Sequence, residues 1–124
     1  MTNVTSALET ATADLDAPLA ALHLPSLRAN LADLRRRAAG TRIRIASKSV
    51  RSRGVLREVL GPDLRGDDTV RGIMAYSLSE ALWLVESGCD DVLMGYPTVD
   101  RSALRELGAD AAALAAVTLM VDGL

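Results

Sequence analysis

The residue most out of keeping with the rest of the chain is Lys48. Fourteen residues are Lys or Arg, and Lys48 is the single lysine, which leaves 13 arginines. With abundant Ala and no Phe, the composition reads as one that uses Arg wherever charge alone is wanted. Arg stays protonated, whereas Lys can lose its proton and attack a carbonyl. Lys48 closes the alternating run Arg42-Ile43-Arg44-Ile45-Ala46-Ser47-Lys48. On strict alternation Arg42, Arg44, Ala46 and Lys48 share one strand face, while Ile43, Ile45 and Ser47 take the other. With the Ile face packed against helices, Lys48 points into the mouth at the C-terminal end of the strand, where α/β folds place their sites. Partial desolvation there would free the amine for Schiff-base chemistry. A surface lysine at a strand end meets the same spacing, so the pattern alone leaves both open.

Other chemistries find less support. One cysteine excludes an internal disulfide, and one Cys with one His makes an all-protein zinc site a poor fit. Ser47, Lys48 and Ser49 lack the glycines of a phosphate loop. Net charge is −2 and aromatics are 2%, so neither a basic face nor a stacking platform for nucleic acid is expected. No apolar run reaches the roughly 20 residues of a membrane span. Met1 to Asp16 has no basic start and no apolar core, so it does not read as a signal peptide. The chain reads as cytoplasmic. Arg35 to Arg37 read as a solvated helix end, and Cys89 as a small buried apolar residue.

The elements that must position Lys48 alternate between strands and helices. Leu19-Ala20-Ala21-Leu22 is a weak first strand, and Leu24, Leu27, Leu31, Leu34 and Ala38 follow helical spacing up to Gly40. Residues 42–48 form a second strand, followed by a helix from about Arg51 to Leu60. Gly72 to Tyr76 is a third strand, and Ser77-Leu78-Ser79-Glu80 has capping-box spacing. Asp91 to Tyr96 is a fourth strand, Asp100 to Leu107 a short helix, and Val117 to Val121 a fifth strand. Such alternation implies a parallel sheet with crossover helices. Two architectures fit: the first half, about five βα units, of a (β/α)8 TIM-type barrel, or a five-stranded doubly wound parallel sheet. The absence of a helix to cover the last strand favours the truncated barrel. Residues 1–16 are expected to be a flexible lead and residues 17–124 a partial barrel domain.

The stretch from Arg42 to Arg51 resembles the lysine strand of the pyridoxal-phosphate barrel family founded on alanine racemase. It is most similar to the branch of D-threonine aldolase, D-serine dehydratase and actinobacterial amino-acid deaminase. Leu27-Arg28-Ala29-Asn30-Leu31 resembles the first barrel helix of that family. Gly72 to Ala81 resembles its third strand and capped helix, and Asp90 to Pro97 its fourth strand. The chain departs from the racemase branch at Ser52, where that branch has Tyr, and from the aldolase branch at Ala46, where that branch has His. Its first strand ends Leu22-His23-Leu24-Pro25 in place of an Asp-containing motif. These departures favour the deaminase branch.

The resemblance implies pyridoxal 5′-phosphate as cofactor, held by Lys48 as a Schiff base, and an amino-acid substrate, of D-configuration. It implies a lyase or deaminase whose full-length parent is a homodimer. The family's phosphate-binding donors come late in the barrel, so the 124-residue chain alone is expected to be inactive. Tyr76 and Tyr96 end their strands and could flank the cofactor ring, although core packing is common there. His23 could face the same mouth as a proton donor, or be solvated or structurally bonded. Asp122, on the face of Thr118 and Met120, could pair with Arg44 or Lys48, or cap a following helix. No metal is expected. A non-catalytic pyridoxal-phosphate carrier and a small doubly wound binding domain without cofactor are the alternative readings.

Overall fold

The computed structural model describes residues 3–123. The chain divides into two compact units, Met1–Arg37 and Ala38–Leu124. The first holds helix α1 (Val4–Thr12), within the expected flexible lead, and all but the last residue of helix α2 (Leu24–Ala38). Neither helix has a fully buried residue. The expected strand over residues 19–22 is not formed, and Leu19 and Leu22 are 44% and 47% exposed. Two central alanines and no β-branched residue give that run little strand preference. The helix signals read correctly at α2. Pro25 takes a first-turn position, where a missing N–H costs nothing, and the chain leaves through Ala39 and Gly40, both at positive φ.

The second unit is α/β, with a four-stranded parallel sheet in place of five strands. Strand β1 (Ile43–Ala46) leads through a 3₁₀ turn (Ser47–Ser49) into helix α3 (Arg53–Leu60). Strand β2 (Val70–Ala75) is followed by helix α4 (Leu78–Glu86), and strand β3 (Val92–Met94) by helices α5 (Arg101–Ala109) and α6 (Ala111–Ala116). Strand β4 (Val117–Thr118) is shorter than the five residues expected for it. The strand order is β1-β2-β3-β4, every neighbour parallel. A doubly wound sheet reverses direction at a switch point; these four strands run in sequence order without a reversal.

Side-chain alternation gives the sheet two unlike faces. Ile45, Ile73, Val92 and Val117 lie in one row across the four strands. Val70, Ile73, Ala75, Val92 and Met94 are at most 2% exposed and meet Leu56, Leu60, Leu78, Ala81 and Leu84 in the core. Full burial of each large aliphatic side chain contributes about 1.5–3 kcal/mol. The next row, Ala46, Met74, Leu93 and Thr118, belongs to the other face and is half-buried or exposed.

The register between β1 and β2 slips by one residue. Ile43 pairs with Val70, but Ile45 pairs with Ile73, so β2 carries an extra residue. Gly72 sits in that bulge at φ +78°, a conformation open to glycine and costly to other residues. The bulge lets Val70 and Ile73 face the core together although they are three residues apart.

Candidate functional site

The C-terminal ends of β1, β2 and β3 form one rim, and the residues just past each strand decide what it presents. Strand β1 was expected to run through Lys48; it stops at Ala46, and Lys48 lies in the 3₁₀ turn. The reason is Ser47. It falls on the buried face, as the alternation requires, is 1% exposed, and its Oγ donates to the Met74 carbonyl at 3.1 Å. Val50 N–H then closes the turn onto the Ser47 carbonyl at 2.9 Å. A hydroxyl bonded to the neighbouring strand's backbone fixes where the chain leaves the sheet, and Lys48 is the next residue.

Tyr76 follows β2 directly, and Tyr96 lies two residues beyond β3. Lys48 Nζ lies 6.0 Å from the centroid of the Tyr96 ring, a cation–π contact that spans from the end of β1 to the end of β3. Tyr76 does not touch Lys48 in this way; its ring carries the guanidinium of Arg51, 4.6 Å from the centroid. Tyr76 is 36% and Tyr96 52% exposed. Among the described residues neither Lys48 nor Arg51 is in an ion pair. Nothing in the type or spacing of Arg51 marks it in the sequence. Its signal lies only in the ring that the fold places beside it.

Tyr76 is itself held by its backbone. Ser77 caps α4 by accepting from Glu80 N–H at 3.2 Å, and Glu80 Oε2 accepts from Tyr76 N–H at 3.1 Å. The capping box read from the sequence thus closes one residue earlier than the usual reciprocal bond, on the tyrosine's own amide. Behind Tyr96, Gly95 N–H donates to the Ala75 carbonyl at 2.8 Å, and a Cβ on Gly95 would lie 3.2 Å from Met74 Cγ.

Arg44 lies toward the other end of β1. Its guanidinium is bidentate to Asp91, with Nη1 2.6 Å from Oδ1 and Nη2 3.2 Å from Oδ2. Of the roles open to Asp122, pairing with Arg44 is not formed: the carboxylate partner of Arg44 is Asp91, which the register places within reach at the start of β3. Asp122 is exposed in a bend beyond β4. His23 belongs to the first unit, where its Nδ1 accepts from Ser26 N–H at 3.3 Å and lies 2.7 Å from Ser26 Oγ. Its ring caps the start of α2, the usual work of a short polar side chain at that position.

Cys89 is buried, with Sγ 3.6 Å from the Asp91 carbonyl, and burial pushes its thiol pKa up. Among the described residues no group of three or more His, Cys, Asp or Glu side chains is placed to hold a metal ion. No described helix is long and apolar enough to cross a membrane. Comparisons with protein-family models, with curated proteins and with solved structures find no match.

Proposed function

We propose that this chain is the N-terminal part of a pyridoxal-phosphate-dependent enzyme acting on amino acids, of the D-amino-acid deaminase or aldolase type, with Lys48 as the residue that holds the cofactor. The observation that carries this reading is the setting of the single lysine. It stands at the C-terminal rim of a sequentially ordered parallel sheet, beside an exposed aromatic ring and, among the described residues, without a carboxylate in ion-pair contact. The strand order supports a consecutive segment of a (β/α)8 barrel, whose active sites occupy that rim.

The donor set fits the group in question. An aldehyde-bearing heteroaromatic ring needs a primary amine, which Lys48 alone supplies from a side chain, and a flat apolar surface beside it, which Tyr96 offers. When bound, the cofactor supplies an electron sink for the bond broken at the substrate's Cα. The protein's share is positional. Ser47 pins the exit of β1 to the backbone of β2, so the Lys48 amine starts from a fixed point. Tyr96 holds Nζ over the rim, and Glu80 fixes the amide of Tyr76 on the neighbouring strand. Arg44 and Asp91 brace β1 against β3 from the opposite end.

Titration of the 124-residue chain with pyridoxal 5′-phosphate, followed by its visible absorbance, tests the reading. Saturable uptake that Lys48→Arg abolishes is the expected result. Uptake unchanged in that variant, or absent from the parent chain at millimolar cofactor, counts against it.

A further inference from the structure

We propose that Arg51 is an oxyanion-binding residue of this rim, receiving the carboxylate or phosphate of the small molecule whose carbonyl meets Lys48. The assignment of that molecule rests on the function proposed above; the affinity of Arg51 for an oxyanion does not.

Two kinds of partner hold arginines in the second unit, aspartates and aromatic rings. Arg44, Arg65 and Arg71 each lie against an aspartate. Arg51 is exposed and has no carboxylate partner among the described residues, and its guanidinium lies 4.6 Å over the ring of Tyr76. The distinction matters chemically. A carboxylate neutralises the guanidinium and occupies its N–H donors, whereas an aromatic face localises it and leaves both the charge and the donor edge unspent. That edge is the fork that matches two oxygens of a carboxylate or phosphate.

The surroundings keep the charge available. Residues 47–52, the connection from β1 into α3, hold Lys48 and Arg51 and no Asp or Glu; Arg53 and Arg57 follow within α3, ahead of Glu58. Arg53 is held by Trp83 at 5.9 Å, again over an aromatic ring. Glu80, the acid nearest Tyr76 in sequence, is directed through Oε2 onto the Tyr76 amide and is in no described ion pair with Arg51. A small anion reaching the rim therefore meets two cations three residues apart, Lys48 over Tyr96 and Arg51 over Tyr76. The first has a transferable proton and the second a permanent charge.

The test is a nuclear magnetic resonance titration of the 124-residue chain with inorganic phosphate and, separately, with propionate, neither of which reacts with an amine. Saturable shifts at the Arg51 and Tyr76 amides, weakened at least tenfold by Arg51→Gln and less by Arg51→Lys, are expected. Saturation by phosphate alone supports the phosphate as the group received, and saturation by propionate alone supports the carboxylate. No saturable shift with either anion, or equal affinity in Arg51→Gln, overturns the proposal. Arg51 is exposed, so both variants should keep the amide spectrum of the sheet, and Tyr76→Leu should weaken binding as well. The titration is repeated in Lys48→Gln. Anion binding that persists there, in a chain whose parent takes up no aldehyde cofactor, would sink the proposed function and leave the role of Arg51 standing.

Discussion

Arg44 reaches across β2 to Asp91, and it can do so because Gly72 lies beneath the bridge. The guanidinium leaves β1, passes the bulge, and meets the carboxylate at 2.6 Å. A Cβ on Gly72 would lie 2.7 Å from Arg44 Nη1 and 2.8 Å from both the Asp91 carbonyl and Oδ2. Three strands are thus tied by one ion pair whose path is the space of a missing side chain.

Gly72→Ala is therefore expected to be costly twice over. The residue sits at φ +78°, where a Cβ costs about 1–2 kcal/mol, and the new methyl must displace the bridge. A loss of about 2–3 kcal/mol is expected in urea unfolding. A change below 0.5 kcal/mol would show that the bulge is not formed as described.

The pair itself should contribute less than its geometry suggests. Arg44 and Asp91 side chains are 34% and 31% exposed, so solvent and salt screen them, and a coupling of about 1 kcal/mol is expected from a double-mutant cycle of Arg44→Ala with Asp91→Ala. The coupling should shrink at 1 M salt. Coupling that is absent at low salt would contradict the bridge.

Much of this arrangement was legible from residue types and some of it was not. The alternation Arg42 to Ser47 assigned the correct face to every residue of β1, and the capping spacing at Ser77 located α4. The short Leu19–Leu22 run misled because four apolar residues carry no periodicity that separates a strand from irregular chain. The bulge was hidden for a related reason. An inserted residue breaks the period of two, so the strand was expected to start at Gly72 when it starts at Val70. The partner of Arg44 was hidden because it lies 47 residues away, and only the register of three strands brings it close. Lys48 stood out by rarity alone, whereas Arg51, one of 13 arginines, could not.

Ser47 is expected to matter beyond its size. Ser47→Ala removes a buried hydroxyl that donates to the Met74 carbonyl, at a cost of about 1 kcal/mol. The exit of β1 should loosen with it, so the variant should also react more slowly at Lys48 with an aldehyde probe. Equal stability and equal reactivity would remove Ser47 from the account.

Cys89 gives a pH signature. Burial raises its thiol pKa above the ordinary value of 9.0 in the folded chain, so the folded state holds that proton more tightly than the unfolded state does. Its contribution is complete below pH 9.0 and is lost as the pH rises through the folded value. Stability measured by urea unfolding should fall more steeply above pH 9 in the parent than in Cys89→Ala, and the native thiol should resist disulfide reagents. Parallel pH profiles would contradict a buried thiol.

The most direct test of the central claim is chemical trapping. The 124-residue chain is incubated with pyridoxal 5′-phosphate at low micromolar concentration, reduced with borohydride, digested and mapped. Lys48 is the only side-chain amine, so the terminal amine is the one internal competitor. The account predicts stoichiometric label on Lys48, abolished by Lys48→Arg. Label that appears only at millimolar concentration, or chiefly at the N-terminus, would contradict a cofactor site at this rim.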